Sequence, residues 1–166
     1  KKEGLLMAPA YAVPSMLDKL DLTLQDFDFY EIHESFASQV LSTLKAWEDE
    51  TFCKEKLGRK KALGSIDRSK LNVKGSSLAA GHPFAATGGR IIANAAKLLN
   101  EKGSGRALIS VCAAGGQGVA FWFLFAAVQV GCFSRPVANE GRAFRFLLQI
   151  PPCFTFAEGG YPICEG

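Results

Sequence analysis

The sequence predicts an α/β fold: a mixed β-sheet covered by helices and ending in an antiparallel hairpin. Three observations predict it. Apolar residues recur at helical spacing, then in alternation with polar ones, then at helical spacing again, and such strand–helix alternation stacks into layers. The last two apolar runs, 106–111 and 119–125, are joined by a tight glycine turn, so they pair antiparallel. Of the 166 residues, 48% are hydrophobic and 21% charged, enough apolar side chain for a packed core of one domain, or of part of a larger one.

Pro9 stands where the first helix begins, and Ala12, Val13, Met16, Leu17 and Leu20 follow at helical spacing. Pro14 is expected in the first turn of that helix, where a missing N–H costs little. Thr23 is placed to cap a short second helical turn. Residues 26–32 alternate polar and apolar, a strand signal, and His33 ends that strand. Residues 34–47 read as a helix with Phe36, Val40, Leu41 and Leu44 on one face. Residues 48–72 are charged and irregular, with breaks at Gly58 and Gly64, and their lysines make a solvated face. A glycine- and alanine-rich loop over 75–83 leads into a helix over 85–100, which Gly103 stops. The two strands of the hairpin complete the sheet.

Composition divides the chain. All twelve lysines lie at or before Lys102, no aspartate follows Asp67, and eight of thirteen phenylalanines fall after residue 120. Beyond residue 127 no period is sustained, and Pro151-Pro152 breaks any element there. The chain therefore reads as a folded piece over 1–127 and an unmatched tail over 128–166, disordered or non-native. A net charge of +3 without a basic stripe argues against a nucleic-acid partner. The longest apolar stretch, 119–130, falls short of the ~20 residues that span a bilayer. Five cysteines without a C-x-x-C pair favour free thiols in a reducing compartment, and with two histidines no metal site is expected. The opening Lys1-Lys2-Glu3-Gly4 carries no targeting pattern and reads as the middle of a longer chain.

Three loops place a reactive side chain at a strand end or a helix start. His33-Glu34-Ser35-Phe36 lies at a strand-to-helix junction. Gly81-His82-Pro83 precedes a helix, with its backbone fixed on both sides of the imidazole. Cys112-Ala113-Ala114-Gly115-Gly116 follows a buried strand, and its small residues let a substrate reach backbone N–H groups. Taken singly each has a bland reading. A lone histidine is usually a core or surface residue, a lone buried cysteine packs as a small apolar group, and paired glycines serve a hairpin. The combination in this order carries more weight than any one of them.

That combination resembles the thiolase family, the enzymes that make or cleave 3-ketoacyl-CoA, and most of all the type found as the β-subunit of the trifunctional complex of fatty-acid oxidation. Four stretches carry the likeness: Ala8-Pro9-Ala10-Tyr11-Ala12, Tyr30-Glu31-Ile32-His33-Glu34-Ser35-Phe36-Ala37, Gly81-His82-Pro83-Phe84-Ala85-Ala86-Thr87-Gly88, and Cys112-Ala113-Ala114-Gly115-Gly116-Gln117-Gly118. The resemblance implies a thiolase-like layered fold, here as an incomplete C-terminal domain. It implies that His82 takes the proton of a nucleophilic cysteine, and that Cys112 is the acid/base that protonates the leaving acetyl-CoA carbanion and then deprotonates CoA. His33, the third catalytic residue the resemblance implies, stands where many thiolases have an asparagine that positions a water or the substrate oxygen. Histidine there marks the subfamily and leaves open whether it acts directly or through water. Phe36 would line the acyl pocket, and backbone N–H groups at Ala114 and Gly115 would contact the substrate.

The resemblance further implies CoA as a co-substrate with no cofactor and no metal. The intact protein would be a dimer or tetramer, with a hydratase/dehydrogenase α-subunit as a further partner, in a mitochondrial matrix or bacterial cytoplasm. The nucleophilic cysteine belongs to the N-terminal half of a thiolase. That half is missing from this sequence, and Cys53, in Thr51-Phe52-Cys53-Lys54, lacks the small-residue loop that would replace it. The fragment is therefore expected to be inactive alone. Two alternatives stand beside this reading: a β-ketoacyl synthase relative, and a non-catalytic remnant or interaction module.

Overall fold

Pro9 opens α1 (Pro9–Leu20) in the computed structural model, which describes residues 5–113 and 115–125. The helix buries Val13, Met16 and Leu17 along one stripe. Pro14 lies inside it, past the first turn where it was expected. A proline there removes the N–H that would reach the carbonyl four residues back, at Ala10. The Trp47 indole fills the gap, donating from Nε1 to the Ala10 oxygen at 3.3 Å. A short 3-10 turn, Leu24–Asp26, follows. Asp26 Oδ2 accepts from both the backbone N–H and the hydroxyl of Thr23, at 2.6 and 2.8 Å.

The predicted strand forms as β1 (Phe29–Ile32), shorter than the alternation suggested because Asp26 is held in that turn. α2 (Ala37–Glu48) starts later than expected, since Phe36 is extended and caps the helix from outside. Its buried stripe is Val40, Leu44 and Trp47, joined by Gln39 and Thr43. Phe36 and Leu41, expected on that face, are 60% and 50% exposed. Trp47, at i+7 from Val40, turns the stripe away from Leu41.

The charged stretch expected to be irregular contains a helix, α3 (Glu50–Leu57). Asp49 accepts from the N–H groups of Thr51 and Phe52 at 2.8 and 3.1 Å, and Gly58 ends the helix at φ 66°. Its inward residue is Cys53, fully buried. A second 3-10 turn, Arg68–Lys70, and the single-turn α4 (Ser77–Ala80) lead to α5 (Thr87–Lys102), which stops at Gly103 as expected. The hairpin is β2 (Gly105–Ala113) and β3 (Gln117–Phe125).

The sheet order is β1-β2-β3. β1 runs parallel to β2, with Ile32 beside Ser110, and β2 runs antiparallel to β3, with Cys112 beside Gly118. The mixed sheet and the closing hairpin are thus both present. On one face Ile91, Ala95 and Leu99 of α5 pack on Ala107, Ile109 and Phe123. On the other, α1 and α2 bring Val13, Leu17, Val40 and Trp47 onto Tyr30, Ile32 and Leu108. The 128–166 tail lies outside the described residues.

Two features of this packing set its limits. Gly118 is pressed against the start of α1: a Cβ there would lie 2.6 Å from the Ala8 carbonyl carbon and 2.9 Å from Pro9 N. Glu31 is fully buried, and neither of its carboxylate oxygens has a hydrogen-bond partner among the described residues. Desolvation pushes its pKa from an ordinary 4.5 up to about 7; the Arg90 charge opposes this and Glu34 adds to it.

Both features make predictions about stability. Gly118→Ala is expected to destabilise the fold by about 1–3 kcal/mol through overpacking against backbone, read as a lower urea midpoint by tryptophan fluorescence; an unchanged midpoint would refute the close approach. For Glu31, the folded state holds a proton that the unfolded chain releases, so stability falls as pH rises from 4.5 to about 7. Glu31→Gln is neutral throughout and removes that fall. Its urea midpoint is expected to gain on that of the native chain as pH rises through this window, and a constant difference would count against the buried ionisable carboxyl.

Candidate functional site

The site is built on the carboxyl end of β1. His33 N–H donates to Ser110 O at 2.8 Å, carrying the ladder one residue past Ile32. Asn72 then imitates a strand neighbour. Its side-chain Oδ1 accepts from Ile32 N at 2.9 Å and its Nδ2 donates to Ile32 O at 2.9 Å, while its own N–H reaches Tyr30 O at 2.8 Å. The residue holds φ 48°, a left-handed conformation that asparagine tolerates. Glu34 completes the junction: one oxygen accepts from Asn72 Nδ2 at 3.0 Å, the other from Leu78 N at 2.9 Å. These bonds tie the segment 72–78 to the strand end and aim the loop after it at His33.

The two histidines meet there. Their ring centroids are 4.4 Å apart at an angle of 47°. His33 is 1% exposed, with Nδ1 2.9 Å from Ser77 Oγ. Burial lowers its pKa, and the charges of His82 and Arg90 add to that shift against the opposing pull of Glu34. His82 lies in the exposed loop before α5. Its Nδ1 is 2.7 Å from Thr87 Oγ1, and that hydroxyl donates to Pro83 O at 3.2 Å. With the hydroxyl proton committed to Pro83, His82 Nδ1 is the donor of the pair and Nε2 carries the free lone pair. That nitrogen can accept a proton. Phe84 packs edge-on against His82 at 5.1 Å and is otherwise 86% exposed.

Cys112 sits one strand over. It is buried on β2, two residues beyond Ser110 and on the same face, and the carboxyl ends of parallel strands are where α/β sheets bind ligands. The structure therefore joins His33 and His82 directly and places Cys112 at the same end of the sheet. Phe36 is at the surface, three residues after His33. Gly115 and Gly116 form the hairpin turn at φ 81° and 77°, and Ala114 lies outside the described residues. Cys53 is elsewhere, in the core against the carbonyls of Ala46 and Trp47.

Four residues that hold the site were missed in the sequence: Asn72, Ser77, Thr87 and Arg90. Asn72 and Ser77 are loop residues of common type. Thr87 and Arg90 lie three apart at a helix start, and spacing alone did not connect them to the imidazoles. Among the described residues, no group of three or more histidines, cysteines or carboxylates could hold a metal ion.

Comparison with known proteins gives the site its context. The family model described as the thiolase C-terminal domain matches residues 1–124. A protein named 3-ketoacyl-CoA thiolase from Alteromonas mediterranea is 52% identical over 118 residues, 71% of this chain and 27% of that relative. A probable 3-ketoacyl-CoA thiolase from Caenorhabditis elegans is 49% identical over 118 residues, 71% of this chain and 26% of its own length. Among solved structures, the acetyl-CoA acetyltransferase of Bacillus anthracis superposes with a TM-score of 0.57 at 33% identity, covering 72% of this chain and 26% of that one. The dimeric peroxisomal thiolase of Saccharomyces cerevisiae gives 0.52 at 36% identity, over 72% of this chain and 26% of its own. The chain spans about 27% of the length of the curated relatives it matches. Since the family match takes in the loops of His33, His82 and Cys112 together with the sheet that carries them, the chain belongs to the thiolase family and corresponds to its C-terminal domain.

Proposed function

We propose that this chain supplies the acid/base part of a 3-ketoacyl-CoA thiolase of fatty-acid β-oxidation. One observation carries the reading: two imidazoles in ring contact at the end of β1, one of them with a free Nε2, beside a strand that carries Cys112 one residue from its end. In this reading His82 Nε2 takes the proton of a nucleophilic cysteine provided by the remainder of the thiolase. The thiolate attacks the ketone carbon of 3-ketoacyl-CoA, the bond between the ketone carbon and its α-carbon breaks, and the electron pair leaves on acetyl-CoA. The Cys112 thiol protonates that carbanion. Its thiolate then takes the proton of incoming CoA, whose sulfur collects the acyl group.

The surrounding residues fit these roles. Backbone N–H groups near Ala114 and Gly115 donate to the developing oxyanion, a contribution of about 2.7–4 kcal/mol per donor in comparable sites. Phe36 lines the acyl pocket, its exposure here leaving a ring to be covered by substrate or by the other half of the enzyme. CoA is the co-substrate, and the reaction requires neither metal nor cofactor. The intact protein is a homo-oligomer, in keeping with the dimeric yeast relative, and pairs with a hydratase/dehydrogenase α-subunit. A mitochondrial matrix or bacterial cytoplasm suits its thiols.

The test is a chimera in which residues 1–124 replace the matching segment of the Alteromonas mediterranea relative. Thiolysis of a 3-ketoacyl-CoA is expected, with His82→Ala and Cys112→Ala each lowering kcat by about 10²–10⁴-fold. A folded chimera without turnover, or variants that keep full activity, would overturn the proposal and favour a non-catalytic remnant. The 166-residue chain by itself is expected to show no thiolysis: among the described residues the cysteine other than Cys112 is Cys53, and it is sealed in the core.

A further inference from the structure

Ser77 stands between two groups that decide its polarity. The Arg90 guanidinium can only donate, and its Nη2 reaches Ser77 Oγ at 3.1 Å and Ser76 Oγ at 3.4 Å. Ser76 in turn donates to Ile32 O at 3.4 Å, which anchors this segment to the strand end. On its far side Ser77 Oγ lies 2.9 Å from His33 Nδ1. With one lone pair of Ser77 engaged by Arg90, the hydroxyl proton finds its acceptor in His33 Nδ1. The reverse arrangement would strand two groups: a hydroxyl proton without an acceptor, and a buried Nε2 lone pair without a donor. Ser77 is 7% exposed and His33 1%, so neither has ready recourse to solvent.

We propose that Arg90 and Ser77 are positioning residues that hold His33 as its Nε2–H tautomer, so that the ring at the position where the thiolase resemblance implies contact with the substrate oxygen meets it directly, as a donor. The tautomer follows from geometry alone; the substrate rests on the thiolase reading above. Three further observations agree. His33 Nε2 is buried and has no hydrogen-bond partner among the described residues, so its proton is not committed to a group of the protein. His82 is held in the opposite tautomer by Thr87, so the touching rings offer one donor and one acceptor. Burial, and with it the charge of Arg90, lower the pKa of His33, the direction that favours the neutral ring a tautomeric donor requires.

The chain has two histidines, so its imidazole nitrogen spectrum is simple to assign, with His82→Gln identifying the remaining ring. Two-bond proton–nitrogen correlation on the histidine-labelled 166-residue chain is expected to show His33 with a protonated Nε2 and a bare Nδ1, and His82 with the reverse. Ser77→Ala is expected to shift His33 toward Nδ1–H or a mixture while the His82 pattern stays, and Ser77→Thr to keep the native pattern. A native His33 with Nδ1–H, or a Ser77→Ala spectrum unchanged at His33, would overturn the assignment. In the chimera, Ser77→Ala is expected to lower kcat about tenfold or more with KM nearly unchanged, and Ser77→Thr to restore it. An undiminished kcat would overturn the donor role. The nitrogen spectrum needs no substrate, so failure of the thiolase reading and failure of the tautomer are separately visible.

Discussion

The end of β1 is held by side chains from distant sequence, and the site depends on that capture. Asn72 bonds both the N–H and the carbonyl of Ile32, and Glu34 joins Asn72 to the backbone of Leu78. Without these bonds the strand would end in open polar groups, and the segment leading to His82 would have no fixed origin. Glu34 is therefore a structural member of a chemical motif. Its carboxylate is held by two donors, so that besides opposing the lowering of the His33 pKa it fixes the segment that leads to His82.

A second theme is the density of polar groups buried on β1 and on the segments packed around it. Glu31, His33, Ser76, Ser77 and Ser110 are all buried. Glu31, Ser110 and one nitrogen each of His33 and Arg90 lack hydrogen-bond partners among the described residues. Each unpaired group costs stability, of order 1–3 kcal/mol, and a purely structural core would replace it with an apolar side chain. Their concentration around the strand end beside two imidazoles marks this end of the sheet as the candidate site.

Much of the frame was legible in the residues. The helical spacing after Pro9, the stop at Gly103 and the glycine turn before Gly118 are strong local signals, and each led to the right element. The misreadings have physical causes. α3 carries little apolar periodicity, and its true markers were the Asp49 cap and Gly58. Pro14 was expected at a helix start because its lost bond looked costly in an interior, and the remedy came from Trp47, thirty-three residues away in sequence. His33, His82 and Cys112 could be named from their loops, whereas Ser77, Arg90 and Thr87 are defined by whom they touch, which a linear pattern does not encode.

The seating of Ala8 and Pro9 on Gly118 reaches further than packing. Gly118 faces Cys112 across the ladder, so the first turn of the opening helix rests directly on the strand position opposite the thiol. The Trp47 indole, bonded to the Ala10 carbonyl, holds the same turn from behind. A bulkier residue at position 118 would therefore press the opening helix away from the strand position that is paired with the thiol.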